Sequence, residues 1–347
     1  PDVRFAEASS EAYPGAEVYR RTCIQIDHGG GAAYVVDIFR AARGDERRDY
    51  LFHGPNRDVE ASGLALRPAQ ANELPAELVN LGAEPRLATA AGGWRLRWRV
   101  TPDYTFTAVV PAGGSTEQVT ICAGWGQRDH RNSDRGVTLP YVVRSRAGTA
   151  APAAFVTVFE GAAAGKELVQ TATLPATAAD AAAGAVVLAV STERGTDLVV
   201  SQLASRTLQV EWAGQALQTD ARLAVVHLPK AAGGKPFAAL AEGTVLRTPQ
   251  IALAAPAGSY SGTVAGWSAQ GGASWYDLTP ALPPEASVAG ATLLVKGEDG
   301  LERAWPVRRH EATAAGSRVF TQWDHEGFRA QPARTWRLST VVAASTR

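Results

Sequence analysis

The chain has 347 residues, 46% hydrophobic and 20% charged, with Lys plus Arg and Asp plus Glu equal at 34 each. That balance fits an ordinary globular protein with a buried core, and a net charge of zero supplies no global field to draw in nucleic acid or an anionic membrane. Apolar stretches are broken by Gly, Pro or charge well short of the roughly 18 residues a spanning helix needs, so no transmembrane helix is expected.

The first elements read as strands. Tyr19-Arg20-Arg21-Thr22-Cys23-Ile24 leads to the turn Asp27-His28-Gly29-Gly30-Gly31, then to Tyr34-Val35-Val36-Asp37-Ile38-Phe39-Arg40 and Arg48-Asp49-Tyr50-Leu51-Phe52-His53. Each run is short, alternating and rich in β-branched or aromatic residues, as strands are. Pro68 to Leu81 is the best helical candidate, and Pro75 limits it to a turn or two. In Trp94-Arg95-Leu96-Arg97-Trp98-Arg99, Trp94, Leu96 and Trp98 are expected to face inward with the arginines on the wet side. A basic strand gripping an anionic chain is the competing reading.

Trp125 to Gly136 reads as a long loop, the most polar and most charged stretch in the chain. It carries Arg128, Arg131, Arg135, Asp129, Asp134, His130, Asn132 and Gln127. Arginine can hold a carboxylate or sulfate with two hydrogen bonds, and Trp125 can stack on a sugar face. The alternating signs also suit Arg–Asp pairs that pin the loop to the sheet. Further strands follow at Phe155-Val156-Thr157-Val158-Phe159 and Leu223-Ala224-Val225-Val226-His227-Leu228, with glycine-rich turns about every ten residues. Past Ala254-Ala255-Pro256-Ala257-Gly258 the chain becomes richer in tryptophan. The fold class expected is therefore all-β: an antiparallel β-sandwich over residues 1–255 and a smaller β-sheet domain over 256–347.

Cys23 and Cys122 each lie in an apolar alternating run and read as two buried free thiols rather than a disulfide; they match no metal motif. The six histidines show no close metal-ligand spacing, so no metal site is expected in this chain. His28 reads as a solvated turn residue and His227 as a satisfied histidine in an apolar strand. His53 is set apart because it ends a strand just before Gly54-Pro55-Asn56, and strand-end loops collect binding residues. Hydrogen bonding to the turn backbone is its bland alternative. Nucleotide-binding and nucleophile-elbow motifs are absent.

Three segments together resemble heparinase II/III-like polysaccharide lyases: Tyr19-Arg20-Arg21-Thr22 through His53-Gly54; Gly124-Trp125-Gly126-Gln127-Arg128-Asp129-His130-Arg131 through Tyr141-Val142-Val143-Arg144; and Val319-Phe320-Thr321-Gln322-Trp323-Asp324-His325-Glu326-Gly327-Phe328. Their order is that of the sheet region following the helical domain in that family. The resemblance implies a parent protein that pairs an N-terminal α/α toroid with this sheet region and binds acidic polysaccharide between them. It also implies β-elimination, in which the C5 proton of a uronic acid is removed and an unsaturated sugar forms. The carboxylate must be neutralised for that proton to become acidic enough for a Tyr or His base. Family catalytic residues lie largely on the toroid, and the family's metal ligands precede the stretch matching Tyr19. The chain is thus expected to be a catalytically silent fragment with catalytic residues unknown and no cofactor of its own, while a structural divalent metal belongs to the parent protein if to either. His53, Trp125, Arg128 and Arg131 are the expected substrate-binding residues. A periplasmic or secreted location is implied by the resemblance alone. A non-catalytic carbohydrate-binding or structural sandwich module is the alternative, and a cell-surface adhesion module a more distant one.

Overall fold

The computed structural model describes residues 2–10, 15–42, 46–70, 73–74, 82–126, 130–131, 133, 136–148, 152–268, 274–284, 288, 290–322 and 333–345. Strand accounts for 64% of the described residues against 2% helix, so the protein is all-β, built of antiparallel sheets. The one helix among the described residues, α1, spans Ala178–Ala182 and is capped by Thr177, whose side chain accepts from the Asp180 amide. Most of the Pro68–Leu81 segment lies outside the described residues.

The chain divides into two compact units, one of residues 1–203 and 225–235, the other of 204–224 and 236–347. The boundary expected after residue 255 stands just ahead of a barrel in the second unit, whereas the division by compactness comes earlier and is interrupted once.

In the first unit a seven-stranded sheet runs in the order Asp2–Ser9 (β1), Val18–Asp27 (β2), Ala33–Ala42 (β3), Ala153–Ala163 (β12), Tyr104–Val110 (β9), Trp94–Thr101 (β8) and Val59–Ser62 (β5). A five-stranded sheet runs Arg48–His53 (β4), Thr138–Arg146 (β11), Glu117–Trp125 (β10), Gly82–Ala90 (β7) and Arg67–Pro68 (β6). The two share one core: Phe39, Trp94, Leu96, Trp98, Ala108 and Phe155 from the first meet Tyr50, Phe52, Ala90, Val119, Ile121 and Val142 from the second. Burying these aromatic and aliphatic side chains, at about 1.5–3 kcal/mol each, is the main force holding the sheets together. As expected, Trp94, Leu96 and Trp98 are buried. The arginines between them are not simply solvated, however. Arg97 holds Glu167 at 2.8 and 2.9 Å, and Arg95 donates to the carbonyls of Val169 and Gln170.

The opposite face of the seven-stranded sheet is also buried. Tyr34, Val36, Ile38 and Arg40 alternate with core residues of the other face along β3, which is why that strand reads as almost continuously apolar. This second face meets strands in the order Val169–Thr173 (β13), Val186–Thr192 (β14), Gly195–Ser201 (β15) and Leu223–Pro229 (β18). Arg40, fully buried, donates from Nε to the Gly184 carbonyl and from Nη2 to the Ser201 carbonyl, both at 2.9 Å.

The second unit holds a four-stranded sheet, Leu208–Trp212 (β16), Gln215–Thr219 (β17), Val245–Arg247 (β20) and Ala252–Ala254 (β21). Phe237–Ala241 (β19) pairs with Val341–Ser345 (β28). The tryptophan-rich end forms a closed barrel in the order Ser259–Ser268 (β22), Trp275–Thr279 (β23), Gly316–Thr321 (β26), Glu302–Thr313 (β25), Thr292–Gly297 (β24) and Ala333–Ser339 (β27). Trp305, Trp336, Tyr276, Leu278, Leu293 and Val319 fill it. Closure leaves no exposed edge to template aggregation.

Candidate functional site

Two arrangements in the first unit carry chemistry-bearing side chains. The first is one end of the five-stranded sheet. In the pairing of β4 with β11, His53 lies opposite Tyr141, and β10 continues the row, with Cys122 opposite Tyr141 and Trp125 opposite Thr138. The exposed His53 ring stacks on Tyr141, with centroids 5.9 Å apart and planes at 29°. The Tyr141 ring in turn lies over Gly124. The amide of Gly54 donates to the Pro140 carbonyl at 3.0 Å and fixes the chain as it leaves β4. Backbone groups therefore hold the turn, and the imidazole is engaged with a ring instead.

The polar loop springs from the same end of this sheet, between Trp125 and Thr138. The register thus puts His53, Trp125 and the start of the loop at one sheet end, a neighbourhood that the sequence order conceals. Arg131 stands in a described turn of that loop, while Arg128, with Gln127, Asp129, Asn132, Asp134 and Arg135, lies outside the described residues.

The second arrangement corrects one sequence expectation. His28 is not a solvated turn residue: its side chain is 2% exposed, and its Nε2 lies 2.8 Å from Asp197 Oδ2. His227 is a satisfied histidine in its strand, as expected: its Nδ1 lies 2.8 Å from the other oxygen, Oδ1, of the same carboxylate. The two imidazoles meet edge to face with centroids 4.9 Å apart. Tyr34 donates its hydroxyl to Asp197 Oδ2 at 2.5 Å. One nitrogen of His28, one of His227 and a carboxylate oxygen of Asp197 all lie within 4.8 Å of one another.

Local structure explains the convergence. The hairpin turn after β2 runs through Gly29, Gly30 and Gly31 at φ of 79°, 66° and 79°, a left-handed run that side-chain-bearing residues resist. His28 closes that turn, its amide donating to the Ala32 carbonyl at 2.8 Å, while Arg194 Nη1 donates to the His28 carbonyl at 2.6 Å. Gly195 begins β15 at φ 153°, and a Cβ there would run into the Leu228 carbonyl and come within 3.0 Å of the His227 ring. Absence of a side chain at that position lets β18 bring His227 against Asp197.

Burial works against the charged form of Asp197, but hydrogen bonds from His227, His28 and Tyr34 outweigh it and hold the carboxyl below its ordinary range. Tyr34 is pushed well above the ordinary phenol range, first by burial and then by the Asp197 charge, so its hydroxyl stays a donor. Sequence reasoning missed Asp197 altogether. Its one signal was a lone carboxylate inside Gly195-Thr196-Asp197-Leu198-Val199-Val200, a run otherwise fit for burial.

Both cysteines are free, as expected; Cys23 lies 3.9 Å from Asp37 Oδ1 and Cys122 is buried in β10. No family model and no curated protein matches this chain.

Proposed function

We propose that the chain is the β-sheet portion of a lyase that cleaves uronic-acid-containing polysaccharide by β-elimination, and that its own share of the work is contact with the acidic chain. The observation that carries this reading is the stack of exposed His53 on half-buried Tyr141 at the sheet end from which the polar loop departs. Stacked rings offer a flat surface to the C–H face of a sugar, and Trp125 begins the loop at the same sheet end. The loop arginines, Arg128 and Arg131, would meet carboxylates or sulfates through charge-assisted hydrogen bonds. A catalytic toroid and the residues that move the C5 proton belong to the parent protein in this reading.

Calorimetric titration with heparin, chondroitin sulfate and alginate oligosaccharides tests it. Binding of at least one of them is expected, weakened in His53→Ala and Tyr141→Ala. Equal affinity in the wild type and both variants removes this surface from consideration.

The second reading is a carbohydrate-binding or structural module with no catalytic partner. Strand content that leaves a single five-residue helix among the described residues favours it for the chain taken alone. Both readings expect no unsaturated uronate from the purified chain, and a rise in its ultraviolet absorbance would show that a complete active site lies within these residues.

A further inference from the structure

We propose that His28, Asp197 and His227 form a binding site for a divalent transition metal, zinc or a cation of similar ligand preference, in the core of the first unit. This does not rest on the lyase reading, and the family's own metal ligands precede the stretch matching Tyr19, whereas Asp197 and His227 come far beyond it.

The donor set is the first ground. Two imidazole nitrogens and a carboxylate suit borderline cations such as zinc and are a poor match for calcium or magnesium, which prefer oxygen throughout. Geometry is the second. Each imidazole nitrogen stands 2.8 Å from its own oxygen of one carboxylate, so both rings approach the open side of Asp197. With metal–ligand bonds of about 2.0–2.2 Å, ligands on one ion are separated by up to about 4 Å, so donors already within 4.8 Å need only a small adjustment.

Support around the ligands is the third ground. Tyr34 donates to Asp197 Oδ2 and fixes the carboxylate plane, as outer partners of metal ligands do. Arg194 anchors the backbone of His28. Charge is the fourth. Asp197 is fully buried. A divalent cation offsets negative charge that is otherwise costly to bury. The side chains of His28, Asp197 and His227 are 2%, 0% and 8% exposed, so ligand exchange is expected to be slow and the metal's role structural.

The same contacts serve equally as a metal-free hydrogen-bond knot, and experiment separates the two. The purified chain would be stripped with chelator, reloaded with zinc and measured by elemental analysis, with affinity taken from competition against a chromophoric chelator. About one zinc ion per chain is expected, as for a single closed site, with a higher melting temperature in zinc than in chelator. Cobalt loaded in its place should give visible ligand-field bands and shifted proton resonances from two imidazoles. Tyr34→Phe keeps the ring and loses only the outer hydrogen bond, and zinc affinity should fall about 10–100-fold. The double variant His28→Gln/His227→Gln should lose stoichiometric zinc. Failure of the wild type to retain zinc or cobalt, with no melting shift, overturns the proposal in favour of the metal-free knot. Undiminished zinc in the double variant overturns it by locating the metal elsewhere. If the double variant does not fold, the Tyr34→Phe affinity and the cobalt resonances decide, and wild-type affinity without imidazole resonances counts against the site.

Discussion

Between the two sheets of the first unit, Glu117 and Arg144 form an ion pair with side chains 3% and 1% exposed, Nε to Oε1 at 2.9 Å and Nη2 to Oε2 at 3.0 Å. Trp94 Nε1 and Arg146 donate to the same carboxylate, and Arg144 also donates to the Val156 carbonyl and Thr157 Oγ1. Rings of Tyr50, Trp94 and Phe155 surround its guanidinium at 5.5–5.8 Å. Since every partner is satisfied, removing one charge is worse than never having had the pair. Glu117→Gln is expected to cost about 3–5 kcal/mol in urea unfolding, because Arg144 is left charged and buried. A loss below about 1 kcal/mol, the range of exposed pairs, would mean that water reaches the site. Arg144 fell in a stretch quoted for the family resemblance, yet nothing in Leu139-Pro140-Tyr141-Val142-Val143-Arg144 marks the arginine as inward. Its direction follows from register: it pairs with Tyr50, an inward position of β4. Strand alternation was visible in the sequence, but which face met another sheet was not.

At the scale of elements, the approach of β18 to β15 depends on Gly195. Gly195→Ala drives a methyl group into the Leu228 carbonyl and the His227 ring, and the strands must separate. A loss of roughly 1–3 kcal/mol, the usual range for overpacking, is expected by thermal or urea unfolding. Unchanged stability would show that the pair of strands slides to accommodate the methyl. The loop between β10 and β11 gives a second expectation. If it meets acidic sugar, Arg131→Ala in a His53→Ala background should weaken binding further while leaving the melting temperature nearly unchanged. Affinity of the wild type should also fall as salt rises, since exposed charges are screened within about 10 Å at 0.1 M. A melting loss with unaltered binding would assign the arginine to internal pairing, the reading that its alternating charges already suggested.

For the whole molecule, a buried carboxylate in the first unit and a half-buried one in the second respond to acid in one direction. Burial pushes Glu117 up, but the Arg144 charge and hydrogen bonds bring it below the ordinary carboxylate range. Glu242 in the second unit follows the same balance, with burial opposed by Ser339, Arg222 and Arg337. A folded pKa below the unfolded one means the unfolded chain binds more protons at the same pH. The stability these groups contribute is therefore present above the unfolded value, about 4.3, and is lost as pH falls through the lower folded values. Melting temperatures should be level near neutrality and decline below about pH 4. In Glu117→Gln the part of that decline due to Glu117 should vanish, and an unaltered acid limb would show that other carboxylates govern it. Circular dichroism of the chain should be that of a β protein with almost no helical signal.

Composition, period-two alternation and turn spacing were enough to determine an all-β chain and strands such as those through Tyr34–Arg40 and Trp94–Arg99. These properties depend on residues close in sequence, because alternation decides which side chains share a face and glycine decides where the chain turns. Tertiary structure alone decided the rest. His28 precedes Asp197 by 169 positions and His227 follows it by 30, so no local spacing links the three. Pairing order brings β3, β15 and β18 into neighbouring layers, and the buried carboxylate gathers whichever donors that stacking supplies. His53 was visible as a strand-end histidine, but its stack on Tyr141 exists only because β4 and β11, with β5 to β10 between them in sequence, pair in one register. A shift of one residue would turn both rings to opposite faces, and that register is set by the core residues beneath them.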